Sequence, residues 1–307
     1  MPEGDTIFRA ARALEKALGG RSVTKFEAGL AKLASVNDNT PVVGRVVERL
    51  EARGKWCMIY FSGDLILATH MLMSGSWHVY RTGEKWWMGR SRMRVAITCG
   101  EYQAVAFNVP IAEFHTARSL ARSSQIPRLG PDVLGTDFDV AHGVKALTAF
   151  AASHPEAEIG VALINQRVLA GLGNVYKSEV PFAAGVHPFR RMITITRNEM
   201  ERMADFALRY MKANVQDGAS DAIVTYSGNR RTTHNMDRND RLWVYGRRGQ
   251  ECRRCGAIVE MRKQGEQARS TYWCPSCQPW IPAEGQSETP PAGKSASLPR
   301  RKARSSC

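Results

Sequence analysis

Four cysteines constrain this chain more than any other feature. Cys252-x2-Cys255 and Cys274-x2-Cys277 form two knuckles separated by 18 residues. Paired knuckles at this distance can bring four thiolates to one tetrahedral zinc ion. Between them, Ala257-Ile258-Val259-Glu260 and Ser270-Thr271-Tyr272-Trp273 read as two strands, so the segment is expected to be a β-hairpin with its base pinned by metal. The alternatives are paired disulfides or free thiols. The total of seven cysteines is odd and argues against a disulfide framework. Four protein ligands leave no open coordination position, so the zinc is expected to be structural. Cys57 reads as a small core residue, Cys99 as a residue near a turn, and Cys307 as part of a tail.

The remainder divides by pattern. Ile7, Ala10, Ala11, Leu14 and Leu18 recur at helical spacing ahead of Gly19-Gly20, predicting one amphipathic helix over residues 2–18. Short β-rich runs follow at Val42–Leu50, Trp56–Phe61, Leu65–Thr69, Ser76–Tyr80, Arg94–Cys99 and Ala104–Asn108, with turn signals between them. They predict an antiparallel sandwich or barrel. Past the Pro/Gly-rich stretch near Pro127–Pro131, helices are predicted at Asp139–Ser153, Glu156–Leu169, Val175–Ala184 and Arg197–Val215. Gln216–Arg241 reads as a polar, arginine-bearing loop.

Charge narrows the function classes. The chain carries a formal +14, of which five Lys/Arg against two Glu in residues 281–307 supply +3, leaving +11 on the rest. A basic folded body points to a polyanion such as nucleic acid, or to an anionic surface. Residues 246–280 add seven Lys/Arg against three Glu, a charge suited to nucleic-acid contact. No apolar stretch reaches about 18 residues, so no membrane span is expected. With no cationic, apolar leader at the start, a cytoplasmic, nucleoid-associated location is expected.

Two further segments carry chemistry. In Asn165–Glu179, two helices are expected to meet at a turn holding Gly171 and Gly173, which allow tight backbone angles and close approach of another chain. Asn174 then opens the next helix, whose N-terminus favours an anion such as a DNA phosphate; an ordinary helix–helix turn is the competing reading. At the start, Met1-Pro2-Glu3-Gly4-Asp5-Thr6 would present a secondary amine beside a carboxylate once Met1 is removed. An α-amine titrates near 8 and lysine near 10.4, so at pH 7 roughly 10% of the former is free base against about 0.04% of the latter. That ratio suits Pro2 to Schiff-base chemistry.

Taken in order along the chain, the Pro-Glu-Gly start, Arg53-Gly54-Lys55, the segment around Asn174 and the stretch Ala268–Gln278 resemble the formamidopyrimidine-DNA glycosylase / endonuclease VIII family over residues 2–280. The likeness is to its endonuclease VIII branch and to actinobacterial members in particular. The resemblance implies an α+β fold: an N-terminal β-sandwich with a catalytic N-terminal helix over residues 1–125, a helical helix-two-turn-helix domain over 126–245, a zinc-binding β-hairpin over 246–281 and a disordered tail over 282–307. It implies a monomer acting on damaged duplex, bubble or single-stranded DNA, with one structural zinc on Cys252, Cys255, Cys274 and Cys277 and no membrane role.

The resemblance also implies residue roles. Pro2 would be the nucleophile and Glu3 the general acid/base. Lys55, Asn174 and Arg269 would hold the phosphates or sugar near the lesion, with Lys55 and Arg269 counted in the catalytic set. Met73, within Met71–Gly75, would fill the gap left by the flipped nucleotide. The expected activity is excision of oxidised pyrimidines followed by strand cleavage through β,δ-elimination. Asp5 and Thr6 stand where many relatives have Pro and Glu, which makes modest rates an expectation. A non-catalytic damage-binding relative and a zinc-ribbon factor are the competing classes; the second explains the cysteines and charge but not the N-terminus.

Overall fold

The computed structural model describes residues 2–124, 126–216, 241–282 and 287. Helix α1, Gly4–Leu18, buries Ile7, Ala11, Leu14 and Leu18 along one face. These residues join the core between two antiparallel sheets. Strand β1 (Lys25–Ala28) and helix α2 (Ala31–Asn39) lead into β2 (Val47–Arg53), β3 (Trp56–Phe61), β4 (Leu65–His70), β5 (Ser76–Arg81), β6 (Met93–Cys99), β7 (Tyr102–Phe107) and β8 (Ile111–His115). The sheet orders are β1-β6-β7-β5 and β2-β3-β4-β8. Ile59, Phe61, Leu67, Val95, Ile97, Ala104 and Ala106 fill the space between them. Strand β3 is buried at every position, because its other face, Trp56, Met58 and Tyr60, packs under Leu120 of the short helix α3 (Ala117–Ala121) and under Ile126.

A second core is helical. It joins α4 (Val140–Ser153), α5 (Ile159–Ile164), α6 (Asn174–Ala184) and α7 (Arg197–Val215) through Leu147, Leu163, Tyr176, Val180, Met203, Ala207 and Met211. Helix α6 has ten buried positions, including Asn174, Lys177, Ser178 and Glu179. Their polarity reflects what surrounds the helix. Glu179 accepts backbone N–H bonds from Trp243, Val244 and Tyr245, fastening the chain that leads to the cysteine segment. The last element is the hairpin β9 (Glu260–Gln264) and β10 (Arg269–Trp273). The molecule is therefore a β-sandwich with its N-terminal helix, a helical unit and a cysteine-rich hairpin, as the sequence predicted.

Several local expectations need correction. Helix α1 begins at Gly4 rather than residue 2, and Glu3 is its extended N-cap. The strand expected over Val42–Leu50 begins only at Val47. The first hairpin strand is Glu260–Gln264, not Ala257–Glu260; Ile258 instead makes an isolated bridge to Glu251. The helix expected over Glu156–Leu169 is confined to Ile159–Ile164, for a visible reason. Gln166 donates to the carbonyls of Ile164 and Leu172 and accepts from the Gly171 N–H, while Asn165 accepts from the Arg167 N–H. Side chains that bond nearby backbone compete with helical hydrogen bonds, so the chain turns twice before α6. Elements β1, α2, β8 and α3 had no sequence expectation. The tail expected over 282–307, Cys307, and the loop expected over 216–241 lie outside the described residues, apart from Gln216, Arg241, Pro282 and Ser287.

Candidate active site

The start of α1 and the turn before α6 are built against each other. The Gly4 N–H donates to the Gly171 carbonyl at 2.9 Å. Gly171 has φ +98°, a conformation that disfavours other residues. A Cβ on Gly173 would lie 2.3 Å from the Glu3 carboxyl carbon, so a side chain there would displace Glu3. Glu3 is completely buried. Its Oε1 accepts the Val175 N–H at 2.9 Å, and its Oε2 has no hydrogen-bond partner. The amide expected to meet a phosphate at the start of α6 is thus occupied by a carboxylate from the N-terminus. Pro2, directly before Glu3, is partly exposed.

Burial pushes the Glu3 carboxyl up to about 7, against the opposing pull of the Lys55 ammonium and the helix amides. Lys55 is held down to about 8, mainly by burial and partly offset by Glu3. Near neutral pH, therefore, Glu3 exchanges a proton readily and its free oxygen is the place for it. Asp5 is also fully buried and accepts from the Tyr176 hydroxyl at 3.1 Å and the Thr6 N–H at 2.8 Å. The residue noted as a departure is thus a fixed part of the N-terminal packing.

Lys55 sits in the two-residue turn between β2 and β3, where Arg53 pairs with Trp56. Gly54 has φ +58° and its N–H donates to Asp132 Oδ2 at 2.5 Å. Asp132 also accepts from the Leu134 N–H at 3.1 Å and bridges to Ala170 beside the Gly171 turn. Asp132 thus ties the Lys55 turn, through its carboxylate, to the turn that holds Glu3, through its backbone. Sequence reading missed Asp132; an aspartate after Gly130-Pro131 looks like an ordinary turn residue. His70, at the end of β4, is held down to about 4 by burial and by Lys55 and accepts the Leu72 N–H at 3.1 Å.

The hairpin docks on α6 through polar contacts. Asn174 Nδ2 donates to the Ser270 carbonyl at 3.0 Å, and the Tyr272 N–H donates to Ser178 Oγ at 3.2 Å. Asn174 Oδ1 is buried with no partner. Arg269, first in β10, is half-buried, and its Nε donates to Gln267 at 2.7 Å. Arg269 also acts electrostatically on Lys55, placing both cations by one site. Met73 is 69% exposed, whereas Met71 is core. Met73 therefore does not serve the sandwich interior.

The thiol sulfurs of Cys252, Cys255, Cys274 and Cys277 all lie within 4.8 Å of one another. Two of the separations are 3.9 Å and 3.4 Å. A tetrahedron with zinc–sulfur distances of 2.3 Å has sulfurs about 3.8 Å apart, so the donor set fits one zinc. Cys252 and Cys274 pack with Phe182, Val244 and Val259, so zinc bound there would join the hairpin to α6.

Three family models match along the chain: the formamidopyrimidine-DNA glycosylase N-terminal domain at residues 1–110, its H2TH domain at 129–225, and a zinc finger found in FPG and IleRS at 249–279. The four cysteines accordingly form a structural zinc site. Among similar proteins, a probable endonuclease 8 2 of Streptomyces coelicolor is 36% identical over 304 residues, covering 98% of this chain and 100% of that one. A DNA-(apurinic or apyrimidinic site) lyase Nei2 of Mycolicibacterium smegmatis is 32% identical over 281 residues, covering 91% and 99%. A Lactococcus lactis Fpg solved with abasic-site DNA shares the fold at a TM-score of 0.73 and 23% identity, covering 91% of this chain and 100% of that one. The chain belongs to the formamidopyrimidine-DNA glycosylase / endonuclease VIII family.

Proposed function

We propose that the protein is a bifunctional DNA glycosylase and abasic-site lyase of base-excision repair, that Pro2 is its nucleophile, and that oxidised pyrimidines are its substrates. The observation that carries this reading is Glu3: a buried carboxyl held near 7, with one free oxygen, one residue after Pro2. Removal of Met1 frees the Pro2 amine to attack the sugar C1′. Glu3 donates its proton to the ring oxygen of the opening deoxyribose, the C1′–base bond breaks as the base takes the proton given up by the Pro2 nitrogen, and an iminium joins Pro2 to C1′. The iminium acidifies the C2′ proton; its loss expels the 3′ phosphate, and a second elimination expels the 5′ phosphate. Lys55, Asn174 and Arg269 grip the backbone beside the lesion, and Met73 occupies the vacated stack. Zinc holds the hairpin that presents Arg269 and takes no part in the chemistry.

Relatives named endonuclease 8 and an abasic-site lyase support the enzyme class, and structural neighbours hold abasic-site DNA; the pyrimidine preference rests on the likeness to the endonuclease VIII branch. Duplex, bubble and single-stranded DNA are all expected to be accepted by a monomer. Borohydride reduction with abasic-site DNA tests the central claim. One adduct on the N-terminal peptide is expected; an adduct only on Lys55, or none, refutes the assignment. Single-turnover cleavage should be faster for 5-hydroxyuracil and thymine glycol than for 8-oxoguanine opposite cytosine, and the reverse order overturns the substrate class.

A further inference from the structure

Lys177 is a cation that the proposed chemistry does not use. It is 1% exposed, on the first turn of α6, one turn beyond Asn174. Arg190, also buried, donates to Glu199 and Thr194. Lys177 has no comparable pairing: among the described residues its ammonium makes one hydrogen bond, to the Arg269 carbonyl at 3.4 Å. An ammonium has three donors, so most of its bonding capacity is unspent. The charges facing it are Arg269 from β10, Lys263 from β9, Glu158 from the N-cap of α5, and Glu3. Glu158 is itself engaged by Gln264 at 2.9 Å.

We propose that Lys177 is a positioning residue for the Arg269 phosphate contact, and that a DNA phosphodiester arriving at Arg269 draws a proton from solvent onto the Lys177 amine. The inference rests on the phosphate role proposed for Arg269. Its basis is the direct bond between Lys177 Nζ and the Arg269 backbone, together with the burial of an amine that makes no carboxylate ion pair among the described residues. A phosphodiester adds the missing negative charge next to Arg269 and offsets the repulsion between the two cations.

The sign of the pH effect follows. In the free protein the amine is held down to about 7, chiefly by burial and then by Arg269. Bound phosphate raises that value. Below about 7 both states hold the proton, and this group adds no pH dependence. Above it, binding takes up a proton and affinity falls as pH rises, by up to about tenfold per unit.

The test uses zinc-loaded, full-length Glu3→Gln protein, which removes the other carboxyl titrating in this window, and a duplex carrying a tetrahydrofuran abasic analogue. Kd is measured from pH 6.5 to 8.5, and proton uptake by calorimetry in two buffers of different ionisation heat. With Lys177 present, affinity should fall with pH, and roughly half a proton should be taken up at pH 7.5. Added Lys177→Met should make the profile about threefold to tenfold shallower between pH 7 and 8.5 and reduce the uptake. Lys177→Arg keeps a permanent charge and should restore tight binding at pH 8.5, with only the shallow residual slope that Lys55 and the Pro2 amine supply in every variant. Melting curves and zinc content establish that each variant is folded. If Lys177→Met keeps the full pH dependence and uptake, or if uptake is nil with Lys177 present, the inference is wrong. Failure of the Lys177 protein to bind this duplex at any pH would instead refute the proposed function on which it rests.

Discussion

Glu3 is useful as an acid because its environment is nearly complete without being fully satisfied. One oxygen is fixed by Val175 while the other has no partner, and burial outweighs Lys55 in setting its proton affinity. Its acid form is lost as pH rises through about 7, while the free Pro2 amine grows as pH rises toward about 8. Base release should therefore pass through a maximum between these values. Glu3→Gln preserves an oxygen for the Val175 N–H but has no proton to give. It should slow base release by about 10²- to 10⁴-fold and abolish the alkaline fall, as read by single-turnover excision across pH. Gly173→Ala probes position alone. Gly173 has φ −129°, which any residue adopts, so the clash with Glu3 is the main effect. Excision should drop on the order of 10²-fold while affinity for an abasic analogue changes only a few-fold; unchanged excision would show that Glu3 tolerates displacement.

At the scale of elements, what was legible in the sequence depended on whether a signal was local. Short β-rich runs gave β3, β4 and β5 nearly to the residue, because each is bounded by turn residues. Helix α2 was not legible: it buries only Leu33 and has no apolar stripe. The truncation of α5 depends on Gln166 reaching Leu172 and Gly171, which no periodicity shows. Pro2, Glu3, Lys55 and Asn174 could be singled out from motif order, but Asp132 and Lys177 gain meaning only when distant segments meet. The hairpin illustrates both cases. Its cysteine spacing announced the metal, while its docking on Asn174 and Ser178 could not be read from sequence. Because those contacts present Arg269, Cys274→Ser should lower zinc content below one equivalent and weaken DNA binding together. Arg269→Ala should leave zinc in place and reduce the slope of log affinity against log salt by about one. Metal analysis and binding isotherms at several salt concentrations separate the two effects, and a lesion-dependent loss in Arg269→Ala would mark it as a base reader.

At the scale of the whole molecule, the candidate site exists only where the sandwich meets the helical unit, so its geometry depends on the joint between them. Glu3 reaches into the turn before α6, while Lys55 arrives on the β2–β3 turn, and Asp132 is common to both. Its carboxylate is mostly enclosed, and burial raises it above the usual range, opposed by the N–H groups of Gly54 and Leu134. Asp132→Ala would leave these two donors without their acceptor, a cost of about 1–3 kcal/mol for each that stays buried. The melting temperature should fall by several degrees. Because the lost Gly54 bond holds the Lys55 turn to residue 132, whose backbone pairs with Ala170 beside Gly171, borohydride trapping should slow by more than the instability explains at temperatures where the variant remains folded. Asp132→Asn retains one acceptor oxygen but turns an amide donor toward one of the two N–H groups, so it should fall between wild type and alanine. Zinc content should be unaffected in both variants, since the four cysteines share no hydrogen bond with Asp132, whose carboxylate accepts from Gly54 and Leu134. Trapping rates that follow global stability alone would show that Asp132 braces the fold without setting the position of Lys55.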